Sequence, residues 1–238
     1  MVVHLQRELE KLKKRILTLG AAAEGRVQLA VRAVETLDRD KARWIMKSDH
    51  EIDEMEVEVE EECLKLLALY QPVAVDLRFI SVVIKINNDL ERIGDEAVNI
   101  SRRVLSIIEE SATDLPAMFD VRTMGERSLA MLQKSLDALV HVDTDLAYRV
   151  LIDDDEVDKL NHEVHDMVFD RIKEQPEHAP YWLNALLVAR HLERIADHAT
   201  NIAEEVIYLV QGQVVRHKGG KGYIRAFARE DDNNGDLE

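Results

Sequence analysis

The chain has 238 residues, 46% of them hydrophobic, with 31 Lys and Arg against 47 Asp and Glu and a net charge of −16. That apolar fraction excludes global disorder, and the acidity excludes general nucleic-acid binding, which draws most of its affinity from cations on phosphates. The single cysteine, Cys63, excludes an intramolecular disulfide framework and fits a reducing compartment.

Taken in chain order, the N-terminal stretch MVVHLQRELEKLKKR lacks the apolar core of a signal peptide. No later apolar run approaches the ~20 residues of a membrane span. A soluble, cytoplasmic protein without direct membrane insertion is therefore expected. Five of the nine glycines (212, 219, 220, 222 and 235) follow residue 210, and the prolines stand at 72, 116, 176 and 180. Breakers so sparse predict long helices rather than β structure. The pattern gives six, near 4–37, 40–70, 72–110, 116–141, 143–174 and 178–211. Cys63 lies in an apolar helical stretch, CLKLLALY, and reads as core rather than as a nucleophile. After Gln211 the sequence GQVVRHKGGKGYIRAFAREDDNNGDLE reads as a disordered tail. A short amphipathic piece around Tyr223, Ile224 and Phe227 within it is suited to docking.

The chain repeats itself. DLERIGDEAVNI (89–100) matches HLERIADHATNI (191–202) at eight of twelve positions, at an offset of 102. DKARWIMKSDHEID (40–53) aligns with DLAYRVLIDDDEVD (145–158) at an offset of 105, and Gln71-Pro72 answers Gln175-Pro176. This order implies two homologous halves of three helices each, joined near 111–117. The expected architecture is all-α: two tandem three-helix bundles over 1–112 and 113–212, with a tail over 213–238. The third helix of each half supports it. Phe79, Val83, Ile86, Leu90, Ile93, Ala97, Ile100 and Val104 advance by alternating steps of four and three. So do Ala185, Val188, Leu192, Ile195, Ala199, Ile202, Val206 and Leu209. Each is an unbroken bundle seam.

The same blocks carry paired carboxylates four residues apart: Asp49 and Asp53, Glu91 and Asp95, Asp154 and Asp158, Glu193 and Asp197. Residues so spaced lie one above the other on a helix, where like charges cost a few tenths of a kcal/mol per pair. A solvated acidic face explains one such pair; four pairs at matching places call for Arg partners, solvent or a bridging cation. Helical rotation puts Glu91 and Asp95, and likewise Glu193 and Asp197, on the side opposite the seam. Each half is then expected to set its two pairs side by side. An all-oxygen site of this kind suits Mg, Ca, Mn or iron better than zinc. Asn99 and Asn201 stand one turn further on as auxiliary donors. The nine histidines read as mostly surface residues, and no His follows a Glu by three as a ferritin-like di-iron site would require. There is no GxxxxGK[ST], GxGxxG or GxSxG motif.

LERIGDEAVNI with LERIADHATNI, SDHEID with DDDEVD, and LLALYQPVAVDLR strongly resemble the PhoU family of phosphate-transport regulators, over about residues 4–217. The resemblance implies two three-helix bundles, commonly a homodimer, and multinuclear iron or zinc clusters. Carried over, the ligands are Asp49, Asp53, Glu91, Asp95, Asp154, Asp158, Glu193 and Asp197. It implies a non-enzymatic role restraining phosphate uptake and the phosphate-starvation response. The partners would be the phosphate ABC transporter and its sensor histidine kinase, which would recruit the protein peripherally to the inner membrane. Two other readings stay open on the residues alone: a metal-dependent phosphohydrolase on the same carboxylates, and a helical spacer whose acids are merely solvated.

Overall fold

The computed structural model describes residues 2–110 and 119–214. Among them the chain forms α1 (Val2–Thr36), α2 (Arg39–Lys47), α3 (His50–Tyr70), α4 (Ala74–Glu110), α5 (Val121–His141), α6 (Thr144–Glu174) and α7 (Ala179–Gln211). A 3₁₀ turn over Pro176–His178 precedes α7, and no strand occurs among the described residues. The junction expected at 111–117 and the tail from 215 onward lie outside the described residues. Helices α1 to α4 make the first bundle, with α2 and α3 serving as one interrupted rod; α5 to α7 make the second.

The repeat extends to the turns. Leu37 (φ 47°) ends α1 and Val142 (φ 56°) ends α5, both in the left-handed region, which side chains rarely adopt. The next residue is an aspartate in each case. Its amide closes the old helix, Asp38 onto the Ala33 carbonyl and Asp143 onto that of Ala138. Its side chain caps the new one, Asp38 accepting from the Lys41 amide and Asp143 from the Asp145 and Leu146 amides. One residue thus serves both orphaned helix ends.

The single long helix predicted over 40–70 is broken at Ser48 and Asp49. The cause is a buried cation from α1. Arg26 Nη1 donates to the Ile45 carbonyl at 3.2 Å and also to Ser48 Oγ. Ser48 Oγ turns back onto the carbonyls of Trp44 and Ile45. These donors take the carbonyl that an uninterrupted helix would present to the Asp49 amide. The Arg26 guanidinium also stacks 4.9 Å from the Trp44 ring and reaches Glu51 at 3.2 Å. In the second half the corresponding residue is the buried Met131, and α6 runs through without a break.

The two bundles pack face to face over one continuous core, α4 on α7 and α1 on α5. The first and third helices of each half thus meet their own counterparts. Along α4 the partners on α7 descend as the numbers rise: Arg78 reaches the Leu209 carbonyl, Lys85 reaches Glu205, Asp89 reaches His198 and Glu96 reaches His191. The helices are antiparallel, related by a pseudo-two-fold axis near Arg92 and Arg194. The α1–α5 crossing obeys the same symmetry. Gly20 packs on Leu136 and Gly125 on Val31, and an offset of 105 interchanges the two contacts.

Gly125 is required by that approach. A Cβ there would lie 2.7 and 2.8 Å from the Val31 γ carbons. Overpacking of that kind costs about 1–3 kcal/mol, against a helix-propensity gain of at most about 1 kcal/mol. At Gly25 a Cβ would meet nothing within 4 Å. Gly125→Ala is therefore expected to lower the urea midpoint and Gly25→Ala to raise it. Adding Val31→Ala should return part of the Gly125→Ala loss. Equal shifts at the two glycines would contradict the close crossing.

Candidate metal centre

Glu91 and Asp95 come from the flank of α4 that packs toward α2 and α3; Asp49 occupies the break and Asp53 the first turn of α3. Asp49, Glu91 and Asp95 are half-buried and Asp53 is exposed, close enough for their charges to act on one another. Burial, then the charges of Asp53 and Asp95, push the Asp49 carboxyl up, against the opposing pull of Arg26 and Arg102. Burial, then Asp95, likewise raises Glu91. Arg92 lies on the rim, 3.2 Å from Asp95 and 3.4 Å from Glu91.

In the second half α6 and α7 bring Asp154, Asp158, Glu193 and Asp197 together. Asp154 is pushed up to about 7, by burial first and then by Asp158, Asp197, Asp155 and Glu193. Glu193 and Asp197 are raised by burial and by Asp158, with Arg194 opposing in both cases. The two patches differ for a reason already visible in the fold. Arg26 lies near Asp49, whereas Met131 stands in its place in the second repeat.

Sets of four oxygen ligands that repel one another fit a hard or borderline cation by donor chemistry. Among the described residues, however, no three His, Cys, Asp or Glu side chains converge closely enough to enclose an ion. The patches are open carboxylate faces as placed. Cys63 is fully buried and its thiol is pushed up to about 12 by burial, in keeping with a core role.

The sequence reading missed what lies between the patches. His191 and His198 depart from the expectation of mostly surface histidines: they are only 13% and 21% exposed and pair across the α4–α7 interface. His191 Nδ1 is 2.6 Å from Glu96, and His198 Nδ1 is 2.9 Å from Asp89. An offset of 102 interchanges these pairs: His191 is the counterpart of Asp89, and His198 that of Glu96. Arg194 adds a 3.0 Å bond to Glu96. Burial pushes the Glu96 carboxyl up, but His191 and Arg194 outweigh it and hold the group low. Asn99 and Asn201 belong to this network: Asn99 donates to Glu96 and Asn201 to Asp89. Both line an open polar cleft of about 800 Å³ with Lys85, Arg92, Arg194 and Asp95. A telling signal was present in the sequence, because acid and histidine trade places between the repeats.

Two antiparallel-packed three-helix repeats, each with an open patch of carboxylates, define a class of duplicated helical-bundle protein; no described helix is long and apolar enough to cross a membrane. The PhoU domain family model matches residues 16–104 and 121–206, and the chain belongs to the PhoU family. It is 40% identical to a Pseudomonas aeruginosa protein named as a phosphate-specific transport system accessory protein PhoU homolog, over 89% of this chain and 87% of that one. The Escherichia coli K12 protein named phosphate-specific transport system accessory protein PhoU is 34% identical, over 94% and 92% of the two chains. The crystal structure of PhoU from Pseudomonas aeruginosa superposes with a TM-score of 0.83 at 39% identity, covering 87% of this chain and 99% of that one. That of the phosphate transport system regulatory protein PhoU from Streptococcus pneumoniae gives 0.83 at 30%, covering 89% and 99%.

Asp154 makes stability depend on pH. In the folded protein its carboxyl is pushed up to about 7 by burial and its acidic neighbours, from an ordinary value of 3.8. Between those limits the native state holds the extra proton, so stability falls as pH rises. Metal-free protein should melt at a higher temperature at pH 5.5 than at pH 8, with the change lying mostly between about 4 and 7. Asp154→Asn should flatten the dependence. A melting temperature that climbs from pH 5.5 to 8 would contradict the assignment.

Proposed function

We propose that this chain is a non-enzymatic accessory of a phosphate-specific transport system that restrains phosphate uptake and the phosphate-starvation response. Membership of the PhoU family over most of the chain carries this reading, together with the names of relatives that align over 89% and 94% of it. On this reading its partners are the phosphate ABC transporter and the sensor histidine kinase that reads phosphate supply. It works in the cytoplasm as a homodimer, with residues 1–112 and 113–212 as its two repeats. Recruitment runs through proteins, because a body of net charge −16 is repelled by anionic headgroups. Electrostatics of that size act mainly on association rate and partner choice.

The carboxylate patches are proposed to hold metal, iron or zinc on the family resemblance. Asp49, Asp53, Glu91 and Asp95 would hold the first set; Asp154, Asp158, Glu193 and Asp197 would hold the second. Burial, and after it mutual repulsion, raises Asp49, Glu91, Asp154, Glu193 and Asp197; a bound cation relieves the repulsive part, which supports this reading. Bound metal would neutralise the carboxylates and fix the α3–α4 and α6–α7 faces that partners meet.

Loss of the protein should leave phosphate-starvation genes switched on in phosphate-rich medium. Normal repression in a strain lacking it, with no second copy present, would refute the regulatory reading. Elemental analysis of protein purified without chelator should find transition metal. Asp53→Ala with Asp95→Ala should remove about half of it and Asp158→Ala with Asp197→Ala the rest, each lowering the melting temperature in proportion to lost binding. Metal-free protein indifferent to added cation would discard the metal assignment while leaving the regulatory one standing.

A further inference from the structure

At the end of the molecule where α7 stops, the first turns of α1 and α4, the α5–α6 turn and the last turn of α7 enclose an open groove of about 510 Å³. Its apolar walls are Leu9, Val75, Phe79, Val142, Leu209 and Val210. Val75, Val142 and Val210 are 64%, 48% and 44% exposed, so apolar surface meets water there. The two cations on the rim are occupied with backbone. Lys13 Nζ donates to the Val140 carbonyl at 2.9 Å, and Arg78 Nη1 to the Leu209 carbonyl at 3.1 Å. The carboxylates on the rim are Glu10 and Asp76, the latter accepting only a 3.2 Å bond from the neutral Gln6 amide.

The chain leaves α7 beside this groove. Gly212 takes φ 70° as its amide closes onto the Tyr208 carbonyl, and the Arg78 guanidinium lies against it. Beyond Val214 stand 24 more residues, of two opposite kinds. Residues 216–229, RHKGGKGYIRAFAR, carry five Lys and Arg and no acid; residues 230–238, EDDNNGDLE, carry five acids and no cation. The two cancel, so the rest of the chain bears the whole −16. Tyr223 is nine residues past Val214, a reach of up to about 30 Å, while the groove wall at Val210 adjoins the end of α7.

We propose that this groove binds an aromatic, basic peptide, and that its occupant is the chain's own segment over residues 223–229. Its sequence offers Tyr223, Ile224 and Phe227 for the apolar walls, and Arg225 and Arg229 as charges opposite in sign to Glu10 and Asp76. The tether supplies an effective concentration in the mM range, so a modest contact suffices to hold the segment. The charge of the body favours the basic stretch and repels the acidic one that follows, an attraction that salt screens. This inference does not depend on the transport role.

Disulfide trapping in the full chain tests it. The substitutions Glu10→Cys and Ala226→Cys are made together; the native Cys63 is fully buried and inert. The expected result is an intramolecular disulfide that forms at a rate independent of protein concentration. Adding Tyr223→Ser and Phe227→Ser, which preserve the tether, should slow it about tenfold as the docked population falls. A rate unmoved by loss of the aromatics would overturn the proposal, since tethering alone would then explain it. Dominant disulfide-linked dimers would overturn it in favour of a second copy in the groove. Binding to phosphatidylserine vesicles that needs Tyr223 and Phe227, with an unchanged trapping rate, would overturn it in favour of a lipid surface.

Discussion

The antiparallel contact between α4 and α7 is the constraint on which the rest of the molecule depends. Each is the third helix of its bundle, and each has two faces to satisfy. One carries the seam of its own bundle; the other is buried against its counterpart with charged residues on it. Glu96 is 7% exposed, Asp89 9% and Glu205 3%. Carboxylates so placed are tolerable only with partners, because an unpaired buried charge costs several kcal/mol. His191 and Arg194 serve Glu96, His198 and Asn201 serve Asp89, and Lys85 serves Glu205. Asn99 adds a bond to Glu96 from its own helix, but each of these partners comes from the opposite repeat. The pairing therefore fixes the register of the two halves, which apolar seams alone leave free to slide by a turn.

That register also decides where the carboxylate patches lie. Asp89 and Glu96 occupy one flank of α4, turned to α7; Glu91 and Asp95 occupy another, turned to α2 and α3. With α7 held across the first flank, the second can meet only its own bundle. Arg194 is shared. It bonds Glu96 of the first repeat while its charge opposes the rise of Glu193 and Asp197 in the second. The charge state of the second patch and the pairing across the interface are thus not independent.

Much of this was legible in the sequence because it rests on periodicity. The seam from Val83 to Val104 needs only alternating steps of four and three to be seen, and every seam residue in that span is fully buried. The carboxylate pairs were visible for the same reason, as i, i+4 spacing is a property of one helix. The break at Ser48 was not, since it depends on Arg26 arriving from a different helix. Nor was the interface of the two halves read. Yet a two-fold contact between repeats leaves a mark: residues that touch across the axis are complementary rather than identical. Asp89 against His191 and Glu96 against His198 look like loss of the repeat, when they are its signature. At the α1–α5 crossing the repeat is kept instead: Gly20 answers Gly125 and Val31 answers Leu136, and each glycine meets the large side chain of the other half.

Duplication with such exchanged contacts lets the two halves diverge without parting. A substitution on the interface must answer a residue in the other repeat, which holds those positions together. A substitution inside one bundle answers to nothing outside it. Arg26 and Met131 are a case in point. With the arginine, helix two is cut at Ser48, and a buried cation offsets the rise of Asp49. With the methionine, α6 stays whole, and Asp154 is left to burial and to its acidic neighbours, close to neutrality. A carboxyl poised there is only partly ionised at neutral pH, and any cation that approaches must displace the proton it holds. The two patches share ligand types and spacing, but one internal cation makes them unequal in the free energy of bringing their charges together.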